Sequence, residues 1–312
     1  MSVRIGIGLG RFPFDDVGDF RRWLAACEDS PIDSVWQSDQ LVASTPTMEP
    51  MTFLSVVAGA TRRLKIGTNA IVLGHRDPVV LARECATLDH LSEGRLLPVV
   101  GVGRADSPVW KATGRSPKAR GARANEALEI MTRLWAGERV DFEGDHFRVE
   151  GAICRPVPVQ KPLPLWIGGS SAAAIERTVR YGTGWIGGLQ TPESAKATVA
   201  AIREETRRQG RPIPEDHYGA TLLFELTDGA GRGAGGSRGD GAPERLRALA
   251  VSGDAGAVLE RIEGYVEAGI TKFVAIPIAS DAEDFARQTR RLADEVVPRA
   301  AMLEPPTVRP AR

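Results

Sequence analysis

Apolar positions along the chain follow two alternating periods. Short apolar runs are each followed by a longer stretch in which apolar residues recur every three or four positions. The first run, Val3 to Gly10 (VRIGIGLG), predicts a buried parallel strand. Between Asp15 and Ser30, Phe20, Trp23, Leu24 and Cys27 share one helical face. Ile32 to Ser38 predicts a second strand. Pro50 then opens a helix at its first turn, where a missing N–H costs little, with Phe53, Leu54, Val57 and Ala60 on its inner side. Leu64 to Val72 (LKIGTNAIV) predicts a third strand. Asp77-Pro78 is a cap followed by a first-turn proline, and the helix it starts carries Leu81, Cys85 and Leu88 on one face. Arg95 to Val102 predicts the fourth strand, and Ala122 to Ala136 the fourth helix, with Leu128, Met131 and Trp135 in register.

Val140 to Gln160 breaks this rhythm. VDFEGDHFRV places a Gly-containing turn between alternating runs, which predicts a β-hairpin or an extended excursion. The alternation then resumes. Strands are predicted at Leu163 to Ile167, Gly184 to Gly188, Tyr218 to Leu226 and Lys272 to Ile278. Helices are predicted at Ala172 to Arg180, Ser194 to Arg208, Ala255 to Ala268 and Asp281 to Val296. Eight strand–helix units in order predict an α/β protein of the (β/α)8 TIM-barrel class, a single domain over residues 1–300 with a tail at 301–312. An open doubly wound sheet alternates too, but no phosphate fingerprint follows the first strand. The expected barrel carries a hairpin-like excursion after helix four and a Gly-rich insertion after strand seven. That insertion, Asp228 to Gly241 (DGAGRGAGGSRGDG), has no apolar residue larger than alanine and reads either as a lid or as a disordered insertion.

Composition narrows the class. The chain has 312 residues, and Lys plus Arg equals Asp plus Glu at 40 each, so no net charge invites nucleic acid or an anionic membrane. Cys27, Cys85 and Cys154 are far apart and form no CxxC pair, which fits reduced thiols in a cytoplasmic protein. No charged-then-apolar leader opens the chain, and no apolar run approaches the ~18 residues of a membrane span. His75, His90, His146 and His217 show no metal-binding spacing, so no metal is expected. His90 falls in a helix end and His146 in the hairpin excursion, neither at a strand C-terminus.

A barrel presents its ligand contacts at the strand C-termini. Those positions hold Gly10 and Arg11, then Ser38, Asp39 and Gln40, then Thr68, Asn69 and Ala70. They continue with Gly101, Gly103 and Arg104, then Gly168, Gly169 and Ser170, then Gly187 and Gly188. Gly168-Gly169-Ser170-Ser171 joins a strand to a helix, so backbone N–H groups there can hold a phosphate. Equally, the glycines can make a tight turn and the serines cap the helix. Gly101-Val102-Gly103 removes side chains where a flat ring can lie, or simply lets a strand bend. Asp39 ends an apolar strand and can carry a proton, accept a hydrogen bond from a ligand, or cap the next segment. No GxSxG or Ser-His-Asp arrangement is present.

These segments resemble the luciferase-like superfamily of flavin- and deazaflavin-dependent oxidoreductases. The strongest stretch is EPMTFLSVVAGATRRLKIGTNAIVLGHRDPVVLARECATLDHLSEGRLLPVVGVGR, Glu49 to Arg104, in which Ala58, Thr61, Arg63, Leu64, Gly67 and Thr68 fit the first core pattern. RANEALEIMTRLWAGERVDFEGDHFRVEG, PLPLWIGGSS, YGTGWIGG and SGDAGAVLERIEGYVEAGITKFV follow in the family's order, so the likeness covers most of residues 3 to 297. The resemblance implies a tricyclic ring in the barrel mouth with its phosphate near the strand-five turn. Carried over by position, Ser38 and Asp39 belong to the strand-two contact. Asn69 and Ala70 belong to the strand-three contact, where many relatives have a non-prolyl cis peptide. Gly101 and Gly103 match the strand-four contact. Ile167, Gly168, Gly169 and Ser170 match the phosphate turn, and Ile186 and Gly187 the neighbouring strand. In several deazaflavin dehydrogenases a proton-transferring histidine follows the strand-two aspartate. Here that position is Gln40, which hydrogen-bonds but does not titrate near neutral pH.

The resemblance implies an enzyme acting on a small organic substrate, with Asp39 and Gln40 nearest the chemistry. The layout is closest to the subgroup using coenzyme F420 for hydride transfer. The alternatives are a reduced-FMN monooxygenase and a relative that binds flavin without catalysis. Homodimers occur among relatives.

Overall fold

The third and fourth strands are each interrupted, and the interruptions face one another. In the computed structural model, which describes residues 2–228 and 249–305, the chain begins with β1 (Arg4–Leu9), α1 (Val17–Glu28), β2 (Ser34–Gln37) and α2 (Pro50–Ala60). The third predicted strand is two pieces, β3 (Lys65–Thr68) and β4 (Ile71–Val72), followed by a 3-10 turn at Leu73–His75 and by α3 (Pro78–Leu91). The fourth is also two, β5 (Leu96–Leu97) and β6 (Val99–Gly101). The cis peptide Asn69–Ala70 separates the first pair. Pro98, which has no N–H to give a ladder, separates the second. Thr68 stitches the gap: its Oγ1 donates to Val99 O (2.8 Å) and accepts from Val99 N–H (2.9 Å).

Next come α4 (Val109–Ala112), α5 (Arg120–Trp135), β7 (Arg139–Glu143), β8 (Arg148–Ile153), β9 (Trp166–Gly168), α6 (Ala172–Tyr181), β10 (Gly184–Gly187) and α7 (Pro192–Arg208). The described elements end with β11 (Tyr218–Leu226), β12 (Val251–Gly253), α8 (Ala255–Glu267), β13 (Lys272–Pro277), α9 (Ala282–Arg291), a π-helical turn at Leu292–Val296 and α10 (Val297–Ala300). Periodicity missed α4 and β12, which are too short to show a period. It also ran the last helix through the π turn. Ala60, expected inside, is exposed, and Ala58 is buried instead.

These residues form two compact units. One comprises Leu9–Phe12 and Val35–Thr183; the other comprises Met1–Gly8, Pro13–Ser34 and Gly184–Arg312. In the first, β2, β3 and β5 lie side by side, as do β4, β6 and β9. The pairs β3–β5, β4–β6 and β6–β9 are parallel. Caps start the helices that follow: Asp77 Oδ1 accepts from the N–H groups of Val79 and Val80 (2.9 and 3.0 Å), and Pro78 occupies the first turn. β7 and β8 form an antiparallel hairpin with a register shift between Val140 and Phe142. Glu126 on α5 fixes its turn by accepting from the N–H groups of Asp145, His146 and Phe147. At the N-terminal side of the strands, Arg95 donates to Ser92 O, Thr61 Oγ1, Leu64 O, Ala58 O and Thr61 O, all within 3.0 Å. Gln160 holds buried Asp89 through its N–H (3.0 Å) and its side-chain amide (2.6 Å).

In the second unit the parallel order is β10-β11-β13-β1, with β12 on β11. Phe14, Phe20, Trp23 and Phe285 pack ring against ring under α1 and α9. Gln288 bonds both the N–H and the C=O of Leu226, and buried Lys272 pairs with Asp33 and donates to Ser34 Oγ. Of the glycine-rich stretch 228–241, Asp228 pairs with Arg291; residues 229–241 lie outside the described residues. No described helix is long and apolar enough to cross a membrane.

Candidate functional site

Three strand ends of the first unit converge on Ala70. A β-carbon placed at Gly101 or at Gly168 would stand 3.9 Å from the β-carbon of Ala70. Gly101 ends β6, Gly168 ends β9, and Ala70 follows the cis peptide between β3 and β4. Their meeting leaves a partly exposed patch with almost no side chain on it. Gly103 borders it at φ +71°, and a β-carbon there would stand 2.7 Å from Val72 Cγ1, so both backbone and space demand glycine. A flat ring can approach such a surface closely, because the three residues at its centre carry no side chain larger than a methyl group.

The turn after β9 keeps part of its sequence-level ambiguity. Gly169 sits at φ +110°, a conformation that suits glycine. Ser171 caps α6 by accepting from Ala174 N–H, which fits the capping alternative, while Ser170 is exposed. Ile167 is 2% exposed and lies paired with Val100 in the core. Ile186 and Gly187 are on β10 of the other unit, Ile186 buried and Gly187 close to Trp185 and Gln190.

The residues after β2 are all tied down. Ser38 is half-buried, and its N–H donates to Leu9 O. Gln40 donates from Nε2 to Gly10 O (3.0 Å), joining the loop after β2 to the loop after β1. Asp39 accepts from Val72 N–H (3.1 Å) and from Arg76 Nη2 (3.0 Å). Arg76 also pairs with Glu49 (2.8 Å). Burial alone would raise the Glu49 pKa, but hydrogen bonds from Thr52 and Arg76 outweigh it and hold the carboxyl below its usual value.

Two further features of this unit lie outside the strand-end residues. The first is a basic segment. Between residues 104 and 123 there are six cations, Arg104, Lys111, Arg115, Lys118, Arg120 and Arg123, against one acid, Asp106. Net neutrality of the whole chain hid it. Arg115 donates to Gly74 O and Arg120 to Gly103 O, so the segment lies over the strand ends. α5 starts within it, with a left-handed Ala119 that offers no capping side chain and with no acid in the first turn. Arg177, only 9% exposed, reaches this helix start and donates from Nε to Asn125 Oδ1. Burial lowers its pKa; Glu176 opposes that shift, and the nearby Arg120 adds to it. Guanidinium groups around an uncapped helix N-terminus suit a phosphate or carboxylate.

The second feature is His75, which ends the 3-10 turn after β4. Its ring lies against Trp110 with centroids 4.1 Å apart, and its Nδ1 is buried with no hydrogen-bond partner among the described residues. Burial lowers its pKa; Asp39 opposes that shift, and Arg115, Arg76 and Arg123 add to it. No cluster of metal-ligating side chains occurs among the described residues.

Comparison with known proteins agrees with the sequence resemblance. The family model described as luciferase-like monooxygenase matches residues 3–230. An F420-dependent glucose-6-phosphate dehydrogenase of Nakamurella multipartita is 31% identical over 201 residues, covering 61% of this chain and 58% of that protein. One of Kineococcus radiotolerans is 28% identical over 218 residues, covering 67% of this chain and 64% of that protein. The match thus spans less than two thirds of these relatives. Among solved structures, the monooxygenase RslO1 of Streptomyces bottropensis superposes with a TM-score of 0.80 at 22% identity, covering 96% of this chain and all of that one. The coenzyme F420-dependent tetrahydromethanopterin reductase of Methanopyrus kandleri gives 0.77 at 20% identity, covering 96% and 99%. At these identities the structural likeness speaks for the α/β fold alone.

Proposed function

This chain belongs to the luciferase-like monooxygenase family, and on that footing we propose that it is an oxidoreductase that uses coenzyme F420 to act on a small organic substrate. The observation that carries the reading is the bare patch formed by Ala70, Gly101 and Gly168. When bound, the deazaflavin supplies hydride chemistry that amino-acid side chains lack. The protein's share is to seat and orient it. Ala70, Gly101 and Gly168 give the ring a flat support, with Asn69, Gly103, Ser38 and Asp39 around it. Gly168, Gly169 and Ser170, together with Arg120 and Arg177, offer a cationic place for the phosphate. The frame of the reading is the expected (β/α)8 barrel, supported by superposition over 96% of the chain.

F420 stands ahead of FMN because the sequence relatives above are named for it. Their sugar-phosphate substrate is not carried over. Gln40 occupies the place where the resemblance leads one to expect a titrating histidine, and its amide is engaged with Gly10 O. The substrate class therefore stays at small organic molecules. The same bare patch also accepts an isoalloxazine, so a reduced-FMN monooxygenase is the second reading.

Titration of the purified protein with F420 and with FMN, followed by fluorescence, separates the readings. Preferential F420 binding, with reduced F420 stable to oxygen in the complex, is expected. Tight FMN binding without F420 binding moves the assignment to the monooxygenase reading. Binding of neither sinks both.

A further inference from the structure

Asp39 is in the right place for chemistry but faces inward. Its side chain is 1% exposed. Both oxygens are engaged, Oδ2 by Val72 N–H at 3.1 Å and Oδ1 by Arg76 Nη2 at 3.0 Å. A proton carrier needs a lone pair directed at the substrate. Here the two oxygens are directed at the backbone of β4 and at a guanidinium.

The partners extend this into a chain. Arg76 is shared, with Nη1 2.8 Å from Glu49 Oε1. Glu49 in turn caps α2, its Oε2 accepting from Thr52 N–H at 2.7 Å. The start of α2, the loop after β2, the residue following the 3-10 turn and β4 are therefore linked through three charged side chains. The end of the chain is Val72, two residues beyond Ala70. Its Cγ1 is the atom that a β-carbon at Gly103 would meet at 2.7 Å. A shift of Val72 thus moves both Ala70 and the boundary of the bare patch.

We propose that Asp39, Arg76 and Glu49 form a positioning relay that fixes Val72, and through it the Ala70 surface against which the cofactor ring lies, and that Asp39 carries no proton in the reaction. The identity of the ring rests on the function proposed above; the relay itself does not. The charge arrangement makes the three members unequal. One guanidinium serves two carboxylates. Neutralising Asp39 leaves a complete Arg76–Glu49 pair, whereas neutralising Arg76 leaves two carboxylates close together without a counter-charge. Glu84, half-buried, is the next acid on this cluster. Burial raises its pKa, Arg76 lowers it, and Glu49 raises it, so loss of Arg76 is felt there as well.

The test compares the wild type, Asp39→Asn, Arg76→Gln and the double variant. F420 and FMN dissociation constants, the visible circular dichroism of the bound ring, and melting temperature are read for each. Asp39→Asn is expected to weaken cofactor binding by about tenfold, the equivalent of 1.4 kcal/mol, and to change the dichroism band. The melting temperature should fall most in Arg76→Gln and recover in the double variant, because removing the second charge relieves the stranded pair. Wild-type affinity and an unchanged band in Asp39→Asn would overturn the proposal. If the wild type binds neither cofactor, the function proposed above fails on its own. The relay is then judged by hydrogen exchange in Asp39→Ala: faster exchange at the Val72 amide than in the wild type supports it, and equal protection overturns it.

Discussion

Gly67 on β3 lies directly beneath the indole of Trp36 on β2, and a β-carbon at position 67 would overlap the ring. The buried Trp36 fits only because its neighbour has no side chain. Gly67→Ala should therefore lower stability by roughly 1–3 kcal/mol, the usual cost of overpacking a filled core. Gly59 on α2 provides the matched control, since among the described residues nothing beyond its chain neighbours and its own helix backbone lies within 4 Å of a β-carbon there. Gly59→Ala should raise stability by roughly 0.5–1 kcal/mol through helix propensity. Urea unfolding of both variants checks the pair; similar shifts of the same sign would contradict this packing.

Arg95 should be among the most sensitive residues of the first unit. It satisfies three further backbone carbonyls besides Ser92 O and the Thr61 hydroxyl. Arg95→Met keeps much of the stem but removes every donor. A loss of about 3 kcal/mol or more is expected, since hydrogen bonds to charged groups contribute about 1.5–3 kcal/mol each and are only partly replaced by water. The urea midpoint should fall with little change in the slope of the transition.

The cationic start of α5 predicts a phosphate-dependent effect. Arg120→Gln and Arg177→Met should each weaken FMN binding by roughly tenfold, the scale of one charge-assisted hydrogen bond to phosphate. Riboflavin, which lacks the phosphate, should bind all three proteins equally. Ser170→Asp, which adds a charge without disturbing Gly169, should act in the same direction. Equal losses for FMN and riboflavin would place the phosphate elsewhere.

His75 predicts a pH effect on stability. Burial, with help from Arg115, Arg76 and Arg123 and against Asp39, lowers its pKa in the folded chain. Above the unfolded value near 6.5 both states are neutral and the residue contributes no pH dependence. Below it, the unfolded chain takes up a proton that the folded chain resists, so stability falls as pH falls until the folded pKa is reached. His75→Gln should flatten the fall in urea midpoint between pH 7 and pH 5. An unchanged slope would assign that pH dependence to other groups.

The sequence by itself determined the order of the longer elements. Apolar period separates strand from helix wherever a segment is long enough to express one, so β11 is read to the residue and α5, α6, α7 and α8 to within two at either end. It also determined which strand ends carry glycine. The residues behind the resemblance turn out to serve two tasks. Arg95, Asp89 and Gln160 clamp the N-terminal side of the strands, whereas Ala70, Gly101 and Gly168 form the bare patch. A linear pattern weights both alike, because it contains no distances. The tertiary structure decided the rest. Only it shows that Gly101 and Gly168, 67 positions apart, meet at one alanine, or that Arg177 crosses to the start of α5. Asp39 makes the point most directly. Its residue type and place at a strand end leave a proton carrier, a hydrogen-bond acceptor for a ligand and a cap all open. Val72 and Arg76, more than thirty residues away in sequence, take both of its oxygens. What an ionisable side chain can do depends on which partners and how much water reach it, and only folding sets those.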